Sequence, residues 1–537
     1  MDHSNLSDND GWLNERSFVE EFDVRIGLFL GAAALAMAAP ASAVWQQASS
    51  KHFVIYGDMP IEEMRTYAVK LEMFDAAARL VRKMNDPEVG DGNRVHVLVV
   101  PTMLDVNRLY GHAEAGIGGY YSGVVSGPFI VTPRKSRQIL DYRKLAPETV
   151  FFHEYTHHLM LQNTNTPMPM WLTEGFAEFL ANPIFNDDGS ISLGTPATHR
   201  AESLIQDRWA PLNDLLGGNM MTIGSAGFAG ANYAQGWLLN HYLAFEPSRR
   251  GQIDAYVARL SKGENALVAA KAVFGDIGQL DSQLRGYVRQ KNLPSLRIVS
   301  SKLTIPPVTV TQMSPGANEV MPMRLHVKTG YGSVSTGYVY GKLSDIARRY
   351  PGDILVQRTL AEAAFDDKKY VEAEAAADAA LKIDPRSTEA LIYKGRAILA
   401  RAKKAQDPAL FKQARQSILA ANKIDAEDPE ALYLYFRTYR AANQLAPKGA
   451  LDALTYAVAL APRDVGVAVD LVMEHMRQKN WKAAGDALRP IAYLPHAGQS
   501  SQNKALAVLR LLDANQGPAA MTMAEKEFLP KKDENPN

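Results

Sequence analysis

Between Trp45 and about Val288 the apolar positions switch between two spacings, one that fits strands and one that fits helices. "HFVIYG" (52–57) and "VHVLVV" (95–100) are β-branched and aromatic runs and read as strands. Between them, "IEEMRTYAVKLEMFDAAARLVRKM" repeats apolar residues at helical spacing. "GYYSGVVSGPFIVTP" (119–133), β-rich and punctuated by glycine, predicts a hairpin. Its strand offers either an edge for an extended peptide or a plain structural element. "PETVFFHEYTHHLMLQ" opens with Pro147 at a helix start and predicts about four turns. A few strands followed by helices is the order of an α+β domain.

The texture changes in the second half. Prolines fall at 351, 385, 429, 462 and 495, at intervals of 34, 44, 33 and 33 residues. A period near 34 residues is that of a helix-turn-helix solenoid. "FDDKKYVEAEAAADAALKIDP" resembles the second half of a tetratricopeptide repeat, with Leu360, Ala361, Tyr370, Ala373, Ala380 and Pro385 at the pattern positions. Large and small residues alternate there so that antiparallel helices pack closely, and the proline ends the second one. The long interval is read as an insertion around "RAKKAQDPALF". "LTIPPVTVTQMSPGANEVMPMRLHVKTG" reads as a Pro/Gly-rich connector with a short hairpin.

The chain has 537 residues, which implies about two to four domains. The boundaries expected are a leader and signal peptide (1–43), an α+β domain (44–295), a linker (296–345), an all-α repeat solenoid (346–527) and a disordered tail (528–537). Cut near Pro306, the first domain is expected to stand alone.

In "RIGLFLGAAALAMAAPASAVW" one arginine precedes an apolar run from Ile26 to Ala39, and Ala41-Ser42-Ala43 suits cleavage after Ala43. The run is short of the roughly 20 strongly apolar residues of a membrane span. The protein is therefore expected to be exported, periplasmic or secreted, and membrane-anchored only where the signal stays uncleaved. Residues 1–25 are acidic where a secretory leader should be basic, which points to a translation start near Val24. The 58 basic and 58 acidic residues cancel, so charge argues for neither nucleic-acid binding nor strong membrane binding. With no cysteine, disulfides, thiolate metal sites and cysteine nucleophiles are excluded.

The chemistry concentrates in "HEYTH". An α-helix advances about 100° per residue, so His153 and His157 share a face and can both reach one metal ion. Glu154 lies beside them, placed to take a proton from water without ligating. A catalytic zinc needs a third protein ligand, and Glu174 in "WLTEGFAEFL" follows a loop that lets the chain double back. Glu178, one turn on, is placed to hydrogen-bond a ligating imidazole. The plainer alternative for Glu174 and Glu178 is a solvated pair, although like charges at that spacing repel.

"HEYTH" followed by "WLTEGFAEF" resembles the gluzincin metallopeptidases, in particular the peptidase-MA-like family with its W-x-x-E-G-x-A pattern. "YAQGWLLNHYL" (233–243) and "VFGDIGQLDSQLRGYV" (273–288) resemble that family's closing helices, so the likeness covers about residues 52–290. It implies a zincin-like fold, one Zn2+ per chain held by His153, His157 and Glu174, and Glu154 as general base. No motif that clamps a free amino terminus is visible, which favours an endopeptidase. For the oxyanion donor the first candidate is Tyr233, with His241 and His158 as alternatives. Tyr233 is equally readable as a core aromatic. The expectation is a zinc peptidase acting on peptides or proteins, with the repeats recruiting substrate or a protein partner. Two alternatives stay open: a catalytically inactive repeat scaffold in an envelope complex, and a zinc hydrolase of something other than peptides.

Overall fold

The computed structural model describes residues 44–112, 117–135, 146–162, 166, 168–205, 208–218, 230–492 and 499–528. The expected leader, the tail beyond residue 528 and Pro495 lie outside them.

Two apolar runs form the centre of a mixed sheet. Strands β1 (Trp45–Ser49), β2 (Phe53–Asp58), β3 (Val95–Thr102), β4 (Tyr120–Val124) and β5 (Gly127–Lys135) stand in the order β4-β5-β3-β2-β1. β2, β3 and β5 run parallel, while β4 pairs antiparallel with β5 as the expected hairpin and forms an edge. The central runs do not alternate with polar residues because both faces of the sheet are covered. Phe53, Ile55, Val95, Val97, Val99 and Ile130 point into one core. Val54, Tyr56, Leu98, Val100, Phe129 and Val131, the residues between them, point into the other.

The first core is filled by helices of the N-terminal half. α1 (Ile61–Arg82) crosses between β2 and β3, and the short α2 (Met103–Tyr110) follows β3. α3 (Pro147–Gln162) and α4 (Met170–Leu180) come next. After the strands β6 (Ile184–Phe185) and β7 (Ile191–Leu193) come α5 (Ala201–Ile205), α6 (Leu212–Gly217) and α7 (Ala231–Phe245). α8 (Gln252–Leu260), α9 (Ala266–Phe274) and α10 (Ile277–Tyr287) close this half.

The second core corrects the expected domain division. Residues 296–345 are not a free linker. β8 (Leu296–Ile298) pairs with β7, and β9 (Thr309–Gln312) joins the main sheet beside β1, as a single strand rather than a hairpin. α11 (Pro315–Lys328), α12 (Thr336–Arg349) and α13 (Ile354–Asp366) then lay Val320, Met321, Val339, Leu343, Leu355 and Val356 on the far face of the sheet. The helical half is thus built onto the sheet, and a chain cut near Pro306 would lose the cover of that face.

From there helix pairs follow one another: α14 (Tyr370–Ile383), α15 (Thr388–Ala405), α16 (Pro408–Ile424), α17 (Pro429–Ala441), α18 (Lys448–Leu460), α19 (Val465–Arg477), α20 (Trp481–Ala492), α21 (Gln499–Asp513) and α22 (Gly517–Phe528). Ala361, Ala373 and Ala380 are fully buried where successive helices meet, as the small positions of the pattern require. The repeat is marked better by caps than by prolines. Asp353, Ser387, Asp428 and Asp464 each accept a hydrogen bond from the first turn of the helix they open. Pro351, Pro385 and Pro462 precede such a cap by two residues, whereas Pro429 directly follows one. The inserted residues form no loop: they lengthen α15 and α16 to 18 and 17 residues, against 13 and 14 in the preceding pair. Among the described residues no helix is long and apolar enough to cross a membrane.

Candidate metal centre

Helix α3 carries its polar chemistry on one side because the other is committed to the core. Phe151, Phe152, Tyr155 and Leu159 are buried in the first core, and the Tyr155 hydroxyl donates to Asp75 at 2.6 Å. That anchoring turns His153 and His157, one helical turn apart, toward α4. Helix α4 presents Glu174 and Glu178 by the same spacing. They are 0% and 2% exposed, so the pair is not a solvated one. A buried carboxylate is costly unless cations and donors surround it.

Glu178 has such a surround. Its Oε1 lies 3.3 Å from His153 Nδ1 and accepts from Arg200 Nη2 at 2.6 Å, while Oε2 lies 2.8 Å from His199 Nε2. Burial would raise its pKa, but the hydrogen bonds from His153, His199 and Arg200 hold it well below the usual carboxylate range. Glu174 faces the two histidines instead. Its Oε2 lies 3.4 Å from Nε2 of His153 and 3.4 Å from Nε2 of His157, and those two nitrogens are 3.2 Å apart. A tetrahedral zinc with bonds of about 2.0–2.1 Å separates its donor atoms by about 3.3–3.4 Å. The three side chains therefore form a donor set of the size and type that zinc takes.

The site is rich in negative charge. Burial works against a charged His153, yet hydrogen bonds to Glu174 and Glu178 and the charges of Glu178 and Glu154 prevail, raising its pKa to about 10. Glu154 projects toward the edge strand, where its Oε2 accepts from the Tyr121 amide at 3.2 Å. Tyr233, in the first turn of α7, stacks on the His153 ring at 6.0 Å, with the Arg200 guanidinium 4.9 Å from its centre. Burial and the Glu174 charge push its phenol pKa up, which keeps it a hydrogen-bond donor.

Of the residues singled out in the sequence, His153, Glu154, His157, Glu174, Glu178 and Tyr233 converge here. His241 does not. Its ring is engaged by the Tyr287 hydroxyl at 2.8 Å and the carbonyls of Gly194 and Pro294 at 3.0 and 3.1 Å, and burial lowers its pKa to about 4. His158 meets the Tyr121 hydroxyl at 3.0 Å and is stacked on Tyr155, away from the donor set; burial brings its pKa down to about 3. His199 and Arg200 went unread in the sequence. The signal that could have found them is the need of a buried Glu178 for cationic partners.

No family model matches this chain. No curated protein matches it with significance. A solved structure, the MamA RS-1 ArsTM double mutant, aligns with 38% of this chain and 98% of its own at 20% identity, with a TM-score of 0.27. At that score the likeness carries no argument about fold or chemistry.

A second group with ligand-like residues, His52, Asp75 and Asp86, behaves differently. His52 Nδ1 lies 2.7 Å from Glu72 and its Nε2 2.9 Å from Asp86; Asp75 accepts from Arg79 at 2.8 Å, and Lys51 reaches Asp86 at 2.8 Å. Each carboxylate already has a cation of the protein, so the group reads as a brace between β2, α1 and α3.

Proposed function

We propose that this protein is a zinc-dependent peptidase of the gluzincin type, with a zincin-like N-terminal half and tetratricopeptide-like helix pairs built onto its sheet. The observation that carries the reading is the triangle of His153 Nε2, His157 Nε2 and Glu174 Oε2, with sides of 3.2–3.4 Å and Glu154 on the adjacent face of the same helix. His153, His157 and Glu174 would hold the metal. Bound zinc supplies a Lewis acid that polarises the scissile carbonyl and lowers the pKa of water.

The chain's own groups do the rest. Glu154 accepts the proton of the attacking water and passes it to the leaving amine. Tyr233, kept protonated, donates to the developing oxyanion, a service worth about 3 kcal/mol where such donors are removed. Glu178 fixes the His153 ring through Nδ1 and is itself fixed by His199 and Arg200. The substrates are peptides or proteins in the cell envelope, in keeping with the apolar, alanine-ended segment at 26–43, and the helix pairs recruit substrate or a protein partner.

The test is reconstitution. Chelator-treated protein is titrated with zinc while uptake and cleavage of an unstructured peptide are followed together. Cleavage should appear in proportion to zinc and level off at one ion per chain. Full activity in metal-free protein, or uptake of one zinc with no cleavage of any peptide, would contradict the reading.

A further inference from the structure

The helical half also meets the edge hairpin that runs beside the candidate metal centre. The tip of the β4–β5 hairpin is clamped there: the Val125 amide donates to Asp464 Oδ2 at 2.9 Å, and Val125 packs with Phe436, Leu454, Val467 and Leu471. A second clamp lies nearby, where the Gly92 amide donates to Asp425 at 3.0 Å and Asn93 Nδ2 to the Glu427 carbonyl at 2.6 Å. The other oxygen of Asp464 caps α19, so the residue before it, Arg463, is held in place from two sides.

Arg463 sits against the edge strand next to the candidate catalytic groups. Its guanidinium lies 5.9 Å from the centre of the Tyr121 ring, and Tyr121 is the residue whose amide meets Glu154. A Cβ on Gly123 would come within 2.6 Å of the Tyr121 hydroxyl and 3.1 Å of Arg463 Cβ, so these side chains close over the strand. Burial weakens the Arg463 charge while Tyr121, Glu154 and Glu174 support it, which places it within electrostatic reach of both glutamates.

We propose that Arg463, carried by the helical half, is a substrate-binding residue of the metal cleft and takes a carboxylate of the peptide, either an acidic side chain or the free C-terminus. This rests on the peptidase reading and deepens it. A guanidinium presents a planar fork of N–H donors that matches a carboxylate, and the Tyr121 ring lies within cation–π range of it at 5.9 Å. The helical half then completes the cleft as well as recruiting to it.

The experiment measures binding apart from turnover. The full-length, zinc-loaded Glu154→Gln protein is titrated with a fluorescent unstructured peptide in four forms: one Asp or its Asn counterpart, each with a free or an amidated C-terminus. The Asp is walked along the peptide. Arg463 should give a preference of about 10-fold or more for the form carrying the recognised carboxylate, the range of a hydrogen bond to a charged group. The Asp and C-terminus arms separate the two sources. Arg463→Met should bring that ratio close to one with zinc content unchanged, and Arg463→Lys should restore part of it. Arg463→Gln gives the same reading should the methionine variant not fold. Equal binding of all forms, or a preference that survives in both the Met and Gln variants, would overturn the proposal, since a purely structural clamp between the halves predicts that. A preference that depends on Arg463 in a protein whose parent cuts none of the four peptides would sustain this inference and sink the peptidase reading.

Discussion

Gly175 follows the candidate ligand Glu174, and its substitution tests how the site is held. At Gly175 and Gly236 helices α4 and α7 cross with their backbones in contact. A Cβ on Gly175 would lie 2.2 Å from Gly236 C, 2.3 Å from its carbonyl oxygen and 2.6 Å from Asn240 Nδ2. Carbon atoms settle at about 3.5–4.0 Å, so Gly175→Ala must part the helices by about 1.3–1.8 Å. The obstructing atoms are mostly backbone and cannot rotate away. Overpacking of this kind costs about 1–3 kcal/mol. The same displacement moves Glu174, its chain neighbour, and Tyr233, three residues before Gly236. Ligand distances tolerate only about 0.2 Å, so zinc affinity should fall by about 10-fold or more. Urea unfolding and a competitive zinc titration measure the two losses. Gly286→Ala is the control: nothing lies within 4 Å of its added Cβ inside α10, so it should be neutral or stabilise by up to about 1 kcal/mol. Were Gly175→Ala as stable as the parent and equally tight for zinc, the close crossing would not be what positions the site.

Three further outcomes are expected. Glu174→Ala, which leaves only the two imidazoles as donors, should lose the metal outright, whereas Glu178→Ala should weaken it by about 10- to 100-fold, both read by zinc competition. Burial raises the Asp428 pKa from 3.8 to about 7, so between those values the unfolded chain gives up a proton that the folded one keeps, and stability falls as pH rises. Asp428→Asn keeps the cap on α17 without the charge, and should be more stable than the parent by about 1–3 kcal/mol at pH 8 but not at pH 4, measured by urea unfolding. A chain ending near Pro306 would lose β9 and bare Trp45, Val54, Tyr56, Leu98, Val100, Phe129 and Val131; at about 1.5–3 kcal/mol per large side chain this rivals the whole stability of a domain, so it should be insoluble, and a soluble, folded fragment on gel filtration would count against the shared core.

What the sequence made legible was local. The two central strands, the hairpin, the helix that carries His153 and His157 and the facing carboxylates all follow from spacings within a few residues. The donor residues could be named because helical geometry alone puts His153 beside His157. The helix pairs were legible from their small residues, but their register was misread, since proline can stand on either side of a cap. Relations between distant segments were hidden. Nothing in "LTIPPVTVTQ" announces that its end will extend the sheet, because an edge strand needs no pattern of its own beyond extended backbone. The apolar runs in β2 and β3, interrupted there only by His96, did carry a hint, since strands that are apolar on both faces need cover on both. Arg463 lies more than three hundred residues from Glu154 in sequence, and only packing brings it near.

The central claim is that His153, His157 and Glu174 hold a metal for which Glu154 does the proton transfer. Zinc content and peptide turnover of Glu154→Gln, measured on the same preparation, test it most directly. Glutamine keeps the size of the side chain but cannot accept the proton. The account requires one zinc per chain, as in the parent, with turnover lower by about 100-fold or more. A variant that cleaves at the parental rate, or one that loses its zinc, would contradict it.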